Sequence, residues 1–278
     1  MVWWRAAFKG RDRGYHTAGI AAMGVKTVRP WPARHAFPFR LNPTEIFEMN
    51  QPHSLPTYKH ADQALASARN KVMRNTYWLL ALSLLPTALG AWVGLRTGIV
   101  AGLTGGIGLV VFLGGAFAFM FAIEKFKNSA TGVPVLLAFT FFMGLMLSRI
   151  LAMVLGFKNG SDLVMTAFGG TAGVFLVMAN LSTVIKRDLS GMGKWLFAGA
   201  LAILIGGVIN VFVGSPAAFA AIATLAILVF SLYLLYDLKR IVDGGETNYI
   251  SATLGLYLSL YNIFQSLLAL LGIFGGED

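Results

Sequence analysis

The chain has 278 residues, 56% of them hydrophobic and 12% charged, with a formal net charge of +10 and no cysteine. So few charges cannot solvate a water-facing surface, which excludes an ordinary soluble enzyme. The missing thiols exclude disulfides, thiolate metal centres, iron–sulfur clusters and cysteine nucleophiles. All four histidines, His16, His35, His53 and His60, precede the first long apolar run, so no imidazole acts from inside a membrane body.

Residues 1–48 carry eight Lys/Arg against three acids, hold four of the nine prolines, and lack apolar periodicity. No apolar core follows this basic start, so it does not read as a secretory signal. It reads either as a disordered cationic arm touching anionic lipid or as sequence upstream of a natural start at Met49, and no function is assigned to it. Residues 49–76 form a cytoplasmic N-terminal segment, polar at first and helix-like through Ala61–Arg74. Residues 77–278 are the membrane domain.

A bilayer core of ~30 Å needs about 20 apolar residues per helix. Seven runs meet that length: Tyr77–Leu95, Ile99–Ile123, Val133–Leu155, Leu163–Ile185, Trp195–Val213, Pro216–Leu238 and Tyr249–Phe274. The sequence therefore predicts an all-α membrane protein with seven transmembrane helices. With the N-terminus inside, eleven Lys/Arg near the membrane lie on the cytoplasmic side, and only Arg96 and Lys158 lie on the other. The positive-inside rule then places the N-terminus in the cytoplasm and the C-terminus outside. Small residues allow close helix approach in lipid, which directs attention to Gly102, Gly105, Gly106, Gly108, Gly114 and Gly115 of span 2, to Gly169, Gly170 and Gly173 of span 4, and to Gly206 and Gly207 of span 5.

Polar groups inside the spans each need a partner, water or a function. Arg149 sits six residues from the outer end of span 3 and either snorkels outward or forms an internal ion pair. Asn180 and Asn210 are expected to hydrogen-bond between helices. Asp237 closes span 6, where burial and the neighbouring Lys239 and Arg240 pull its ionisation in opposite directions. It reads either as an interfacial carboxylate paired to those neighbours or as a pH-responsive group. Ser259, Asn262 and Ser266 fall on one face of span 7, a face that does not suit lipid. Span 7 is therefore expected to be surrounded by the other helices or to border a hydrated cavity. The turn Asp243–Ile250 precedes it, with Thr247 or Asn248 as helix N-cap.

That turn, with Gly244, Gly245, Glu246, Asn248 and Tyr249, and the following Leu256–Leu268, with Tyr257 and Tyr261, resemble the C-terminal signature of the Bax inhibitor 1 (transmembrane Bax inhibitor motif) family. Val72–Leu80 resembles the bacterial branch whose members modulate the ATP-dependent membrane protease FtsH. The resemblance covers about residues 49–278 and implies a Bax inhibitor 1-like bundle with the last helix central, in the bacterial inner membrane, with the C-terminus periplasmic. Some family members carry two aspartates, at the end of span 6 and in span 7, as a pH-sensitive latch over a calcium leak. Asp237 matches the first position, whereas the second matches Ser259, one turn before Asn262. A lone carboxylate lacks the coupled titration of a pair and offers calcium one fewer hard ligand.

Two functions follow. One is a regulator that binds FtsH and modulates membrane-protein quality control. The other is a pH-sensitive cation (calcium) leak channel, with Asp237, Ser259, Asn262 and Arg149 as candidate pH-sensor or ion-path residues and calcium or protons as partners. Apart from the lipid bilayer, no cofactor and no metal ligand set is expected. No catalytic residue stands out, and the basic tail lacks a folded scaffold for nucleic acid.

Overall fold

The computed structural model describes residues 56–103 and 105–276. The basic tail and the start at Met49 lie outside the described residues. Seven α-helices follow one another: α1 (Pro56–Thr97), α2 (Gly105–Phe126), α3 (Gly132–Leu155), α4 (Gly160–Val184), α5 (Gly193–Val213), α6 (Pro216–Val242) and α7 (Tyr249–Gly275). Each contains a stretch long and apolar enough to cross a membrane, and no strand occurs among the described residues.

Several boundaries differ from the sequence reading: α6 runs on to Val242 rather than stopping at Leu238, and the first two helices start elsewhere. The first helix begins at Pro56 rather than Ala61, because proline in a first turn gives up an N–H that has no intrahelical partner anyway. The second begins at Gly105 rather than Ile99. Gly98 and Gly105 have φ of +63° and +55°, left-handed values that stop one helix and delay the next. The junction of α5 and α6 follows capping chemistry. Gly214 (φ +68°) terminates α5, Asn210 Oδ1 accepts from Ser215 N at 3.2 Å, and Ser215 Oγ then accepts from Ala218 N at the start of α6, with Pro216 next to the cap. Asn210 thus serves its own helix end rather than a neighbouring helix. Asn180 is exposed on α4; its backbone carbonyl accepts from Thr183 Oγ1 at 2.7 Å, but its side-chain amide has no hydrogen-bond partner among the described residues, so neither asparagine forms the expected interhelical bond.

The buried side chains come chiefly from α3, α6 and α7, including Leu136, Phe139, Met143, Leu234, Leu238, Leu256, Ile263 and Leu268. By contrast, α2 and α5 bury one residue each, Ile123 and Leu196. Helix α7 packs against α6, α4, α1 and α3, and none of its residues from Tyr249 to Gly272 is exposed.

The most extensive pairing joins α1 to α3. A side chain on Gly90 would strike the Phe141 carbonyl, one on Gly144 the Thr87 carbonyl, and one on Gly94 the Ser148 hydroxyl. The backbones meet there because nothing separates them. The glycines singled out in spans 2, 4 and 5 behave differently: Gly102, Gly106, Gly114, Gly169, Gly173 and Gly207 face open space. Of the glycines singled out there, Gly108 lies under the Leu103 carbonyl, Gly115 under the Phe142 ring, and Gly170 and Gly206 make looser contacts with Leu267 and Ile222.

Candidate functional site

The site is built where α6 ends and α7 begins. Asp237 lies on α6 five residues before its end, and α7 offers it the smallest possible surface. A Cβ on Gly255 would sit 2.8 Å from Asp237 Oδ2, so only glycine lets the carboxylate rest on the α7 backbone. Ser251, Gly255 and Ser259 follow at intervals of four, one stripe of α7. Asp237 therefore faces this stripe one turn before Ser259, the residue that matches the family's second acid. Ser259 is buried, and the Ser251 Oγ on the same stripe is buried with no hydrogen-bond partner.

Asp237 forms no ion pair or hydrogen bond among the described residues. Its basic neighbours are committed elsewhere. Lys239 Nζ bonds Asp243 Oδ1 at 2.7 Å, the i,i+4 geometry that its own helix favours. Arg240, above the Tyr236 ring, bridges to Glu246 Oε2 at 3.1 Å. The paired interfacial carboxylate anticipated from the sequence is thus not formed, because the turn after α6 supplies its own acids to those cations. Arg240 and Glu246 still act on Asp237 through space.

The signature residues assemble this turn. Gly244 has φ +77°, and Arg69 of α1 packs beside it, with Cδ 3.6 Å from where a Cβ would stand. Gly245 N donates to the Arg240 carbonyl at 2.8 Å. Glu246 Oε1 accepts from the backbone N–H groups of Thr247 and Asn248. Asn248 is the N-cap of α7: its Oδ1 accepts from Ile250 N and Ser251 N, while its Nδ2 donates to the Lys127 carbonyl and Asn128 Oδ1. One side chain therefore starts α7 and ties it to the α2–α3 turn. Tyr249 is half-buried at the first position of that helix.

Deeper along α7, Tyr257 shares a 2.9 Å hydrogen bond with Thr87 of α1 and donates to the Thr140 carbonyl of α3 at 3.5 Å; Tyr261 donates to the Met143 carbonyl at 3.2 Å. Asn262 turns back on its own helix, donating to the Leu258 carbonyl at 2.8 Å. Arg149 stands apart from all of these. It belongs to the far end of α3, whose first residue, Gly132, touches Ile250 near the start of α7. Seventeen residues along α3 separate the two levels, or ~26 Å at 1.5 Å per residue. No group of three or more His, Cys, Asp or Glu able to hold a metal occurs among the described residues.

Sequence reasoning did not name Thr87, Thr140, Asn128 or Gly255. A signal existed for the last of these: a lone glycine in the greasy first half of span 7, beside a helix that ends on an acid.

A family model described as inhibitor of apoptosis-promoting Bax1 matches residues 69–276, which takes in α2 to α7 and most of α1. The chain belongs to the Bax inhibitor 1 family. It is 40% identical over 217 residues to the modulator of FtsH protease YccA of Escherichia coli K12, covering 78% of this chain and 96% of that protein. It is 39% identical over 209 residues to an uncharacterized membrane protein of Vibrio cholerae, covering 75% and 92%. An uncharacterized Neisseria meningitidis protein is 36% identical over 214 residues, covering 76% and 94%. As a Bax inhibitor 1 family member the chain is a multi-pass membrane protein, and the relative from Escherichia coli O6:H1 is named an inner membrane protein.

Proposed function

We propose that this chain is a non-catalytic regulator of the bacterial inner membrane that binds the FtsH protease and modulates membrane-protein quality control. The observation that carries the reading is the likeness to the FtsH modulator across 96% of that protein's length, which makes it a likeness of whole molecules rather than of one motif. The first helix supports it. At 42 residues it is ~63 Å long, about twice the ~30 Å of hydrocarbon. Of its residues 63–71, all but Ala66 are exposed, a helical extension that beyond the Arg69 contact with Gly244 presents a surface a membrane protease could grip. The basic bias places this extension in the cytoplasm and the C-terminus in the periplasm. Because the chain has no native cysteine, single introduced cysteines and an impermeant thiol reagent test that orientation directly.

The decisive experiment is co-purification of the full chain with FtsH from nanodiscs, together with turnover of a membrane substrate in its presence and absence. Association and slowed turnover are expected. Neither association nor a change in turnover would sink the regulator reading.

Asp237 favours a second reading, a proton-modulated cation leak, because its carboxylate lies against Gly255 with no fixed partner. Ser259 in place of a second acid ranks this reading below the first. Cation flux in proteoliposomes between about pH 6 and pH 8, the range in which a perturbed carboxylate can change charge, is the measurement. Flux altered by Asp237→Asn supports the leak; no flux at either pH removes it.

A further inference from the structure

Arg149 is the one charged residue of α3, and it stands six residues before the helix end at Leu155, ~9 Å along the axis. Its side chain is exposed on the flank of the bundle rather than directed into it. No acid pairs with it among the described residues. Of its five N–H donors, one is used among the described residues: Nη1 donates to the Leu103 carbonyl at 3.1 Å. That carbonyl lies against the start of α2, where Leu103 O occupies the space that a side chain on Gly108 would take. The guanidinium is therefore aimed by the turn between α1 and α2 while most of its donors stay unspent.

Its height in the membrane comes from its neighbours. Gly94 of α1 packs on Ser148, which puts the last turn of α1 at the level of Arg149. Trp92, 57% exposed, belongs to the same level, and exposed tryptophan marks the headgroup boundary of a bilayer. A fixed cation at that depth on a lipid-facing flank finds its acceptor in headgroup phosphate, and the planar guanidinium fork matches a phosphodiester.

We propose that Arg149, aimed by the Leu103 carbonyl, is the binding site for the phosphate of an anionic phospholipid in the leaflet next to the α1–α2 turn. A cation that no acid among the described residues pairs leaves charge that a zwitterionic headgroup does not balance, hence the anionic preference. The site is independent of the protease reading and of Asp237, and it would stand if either failed.

Native mass spectrometry of the full chain, released from vesicles of phosphatidylcholine with a minority of phosphatidylglycerol, tests it. The wild type should retain phosphatidylglycerol in preference to phosphatidylcholine. Arg149→Gln should lower that retention about tenfold, as expected for loss of a charge-assisted pair. Arg149→Lys keeps a point charge and a donor for Leu103 but loses the fork, so a smaller drop is expected; this variant also answers the question should Arg149→Gln fold poorly. Lys125→Gln, at the opposite end of the bundle, should retain lipid like the wild type. Equal retention of phosphatidylglycerol by the wild type and both Arg149 variants would overturn the site. Equal retention of the two lipids by the wild type would overturn the anionic preference. Displacement of the lipid by inorganic phosphate that itself binds with the same dependence on Arg149 would reassign the site to free phosphate.

Discussion

At the seam between α1 and α3, Gly90 and Gly144 each face a backbone carbonyl of the opposite helix, and Gly94 faces a serine hydroxyl. On the outward sides of α2 and α5, Gly114 and Gly207 face nothing within 4 Å. The residue type is the same, but its contribution is not. At the seam glycine permits two backbones to touch, in a place where dispersion contacts hold helices together without a hydrophobic driving force. On the outer helices it adds little packing and forgoes helix propensity. The bundle thus has a stiff part, α1 with α3, α6 and α7, and a loosely attached part in α2 and α5.

The sharpest way to break this comparison is to add one methyl group to each part. Gly144→Ala forces a side chain against the Thr87 carbonyl, which cannot move without the helix. We expect a loss of about 3 kcal/mol in reversible unfolding from bicelles, the upper range for overpacking. Gly114→Ala should lose nothing and could gain up to about 1 kcal/mol in the same assay. Equal damage from both would erase the distinction. Next in size is Asn248→Ala, which removes the α7 N-cap and the link to the α2–α3 turn. It should cost about 1–2 kcal/mol and raise hydrogen exchange of the α2–α3 turn amides, while the α1–α3 seam stays protected.

Tyr257→Phe deletes the hydroxyl that joins α7 to Thr87 and leaves the ring in place. A loss of about 1 kcal/mol is expected, and an effect as large as that of Gly144→Ala would shift the weight from backbone contact to the hydroxyl. The smallest effect lies outside the helices. Ser190 donates its backbone N–H and its hydroxyl to Asp188, and these bonds hold that carboxyl below its ordinary range. A lowered folded-state value means the contribution is complete above the unfolded value and fades as pH falls through the acid range. Melting curves of wild type and Asp188→Asn should therefore differ slightly at neutral pH and converge in acid.

Much of this was legible in the residues. Run length announced seven spans, and cap chemistry marked the Gly244 turn with Thr247 or Asn248 as the cap, of which the structure uses Asn248. The seam was not legible, because a glycine's worth depends on which way its helix is rotated. Composition drew attention to span 2, rich in glycine, whereas the contacts fell to Gly90, Gly94 and Gly144 in spans 1 and 3. The neighbours of Asp237 were misjudged for a related reason. Lys239 and Arg240 are close in sequence, but Asp243 and Glu246 lie within easier reach once the turn folds back. Asn180 escaped prediction because an amide's partner depends on what stands across from it, and across from Asn180 nothing does.

The two-residue link between α5 and α6 has a consequence for how the molecule is made. Residues 195–236 contain no charged side chain, and the link at their middle holds only Gly214 and Ser215. A connector that short cannot leave one rod waiting at the far surface while the other is still being synthesised into place. Inserted as one hairpin, the pair carries its tip across the lipid without any ion to desolvate.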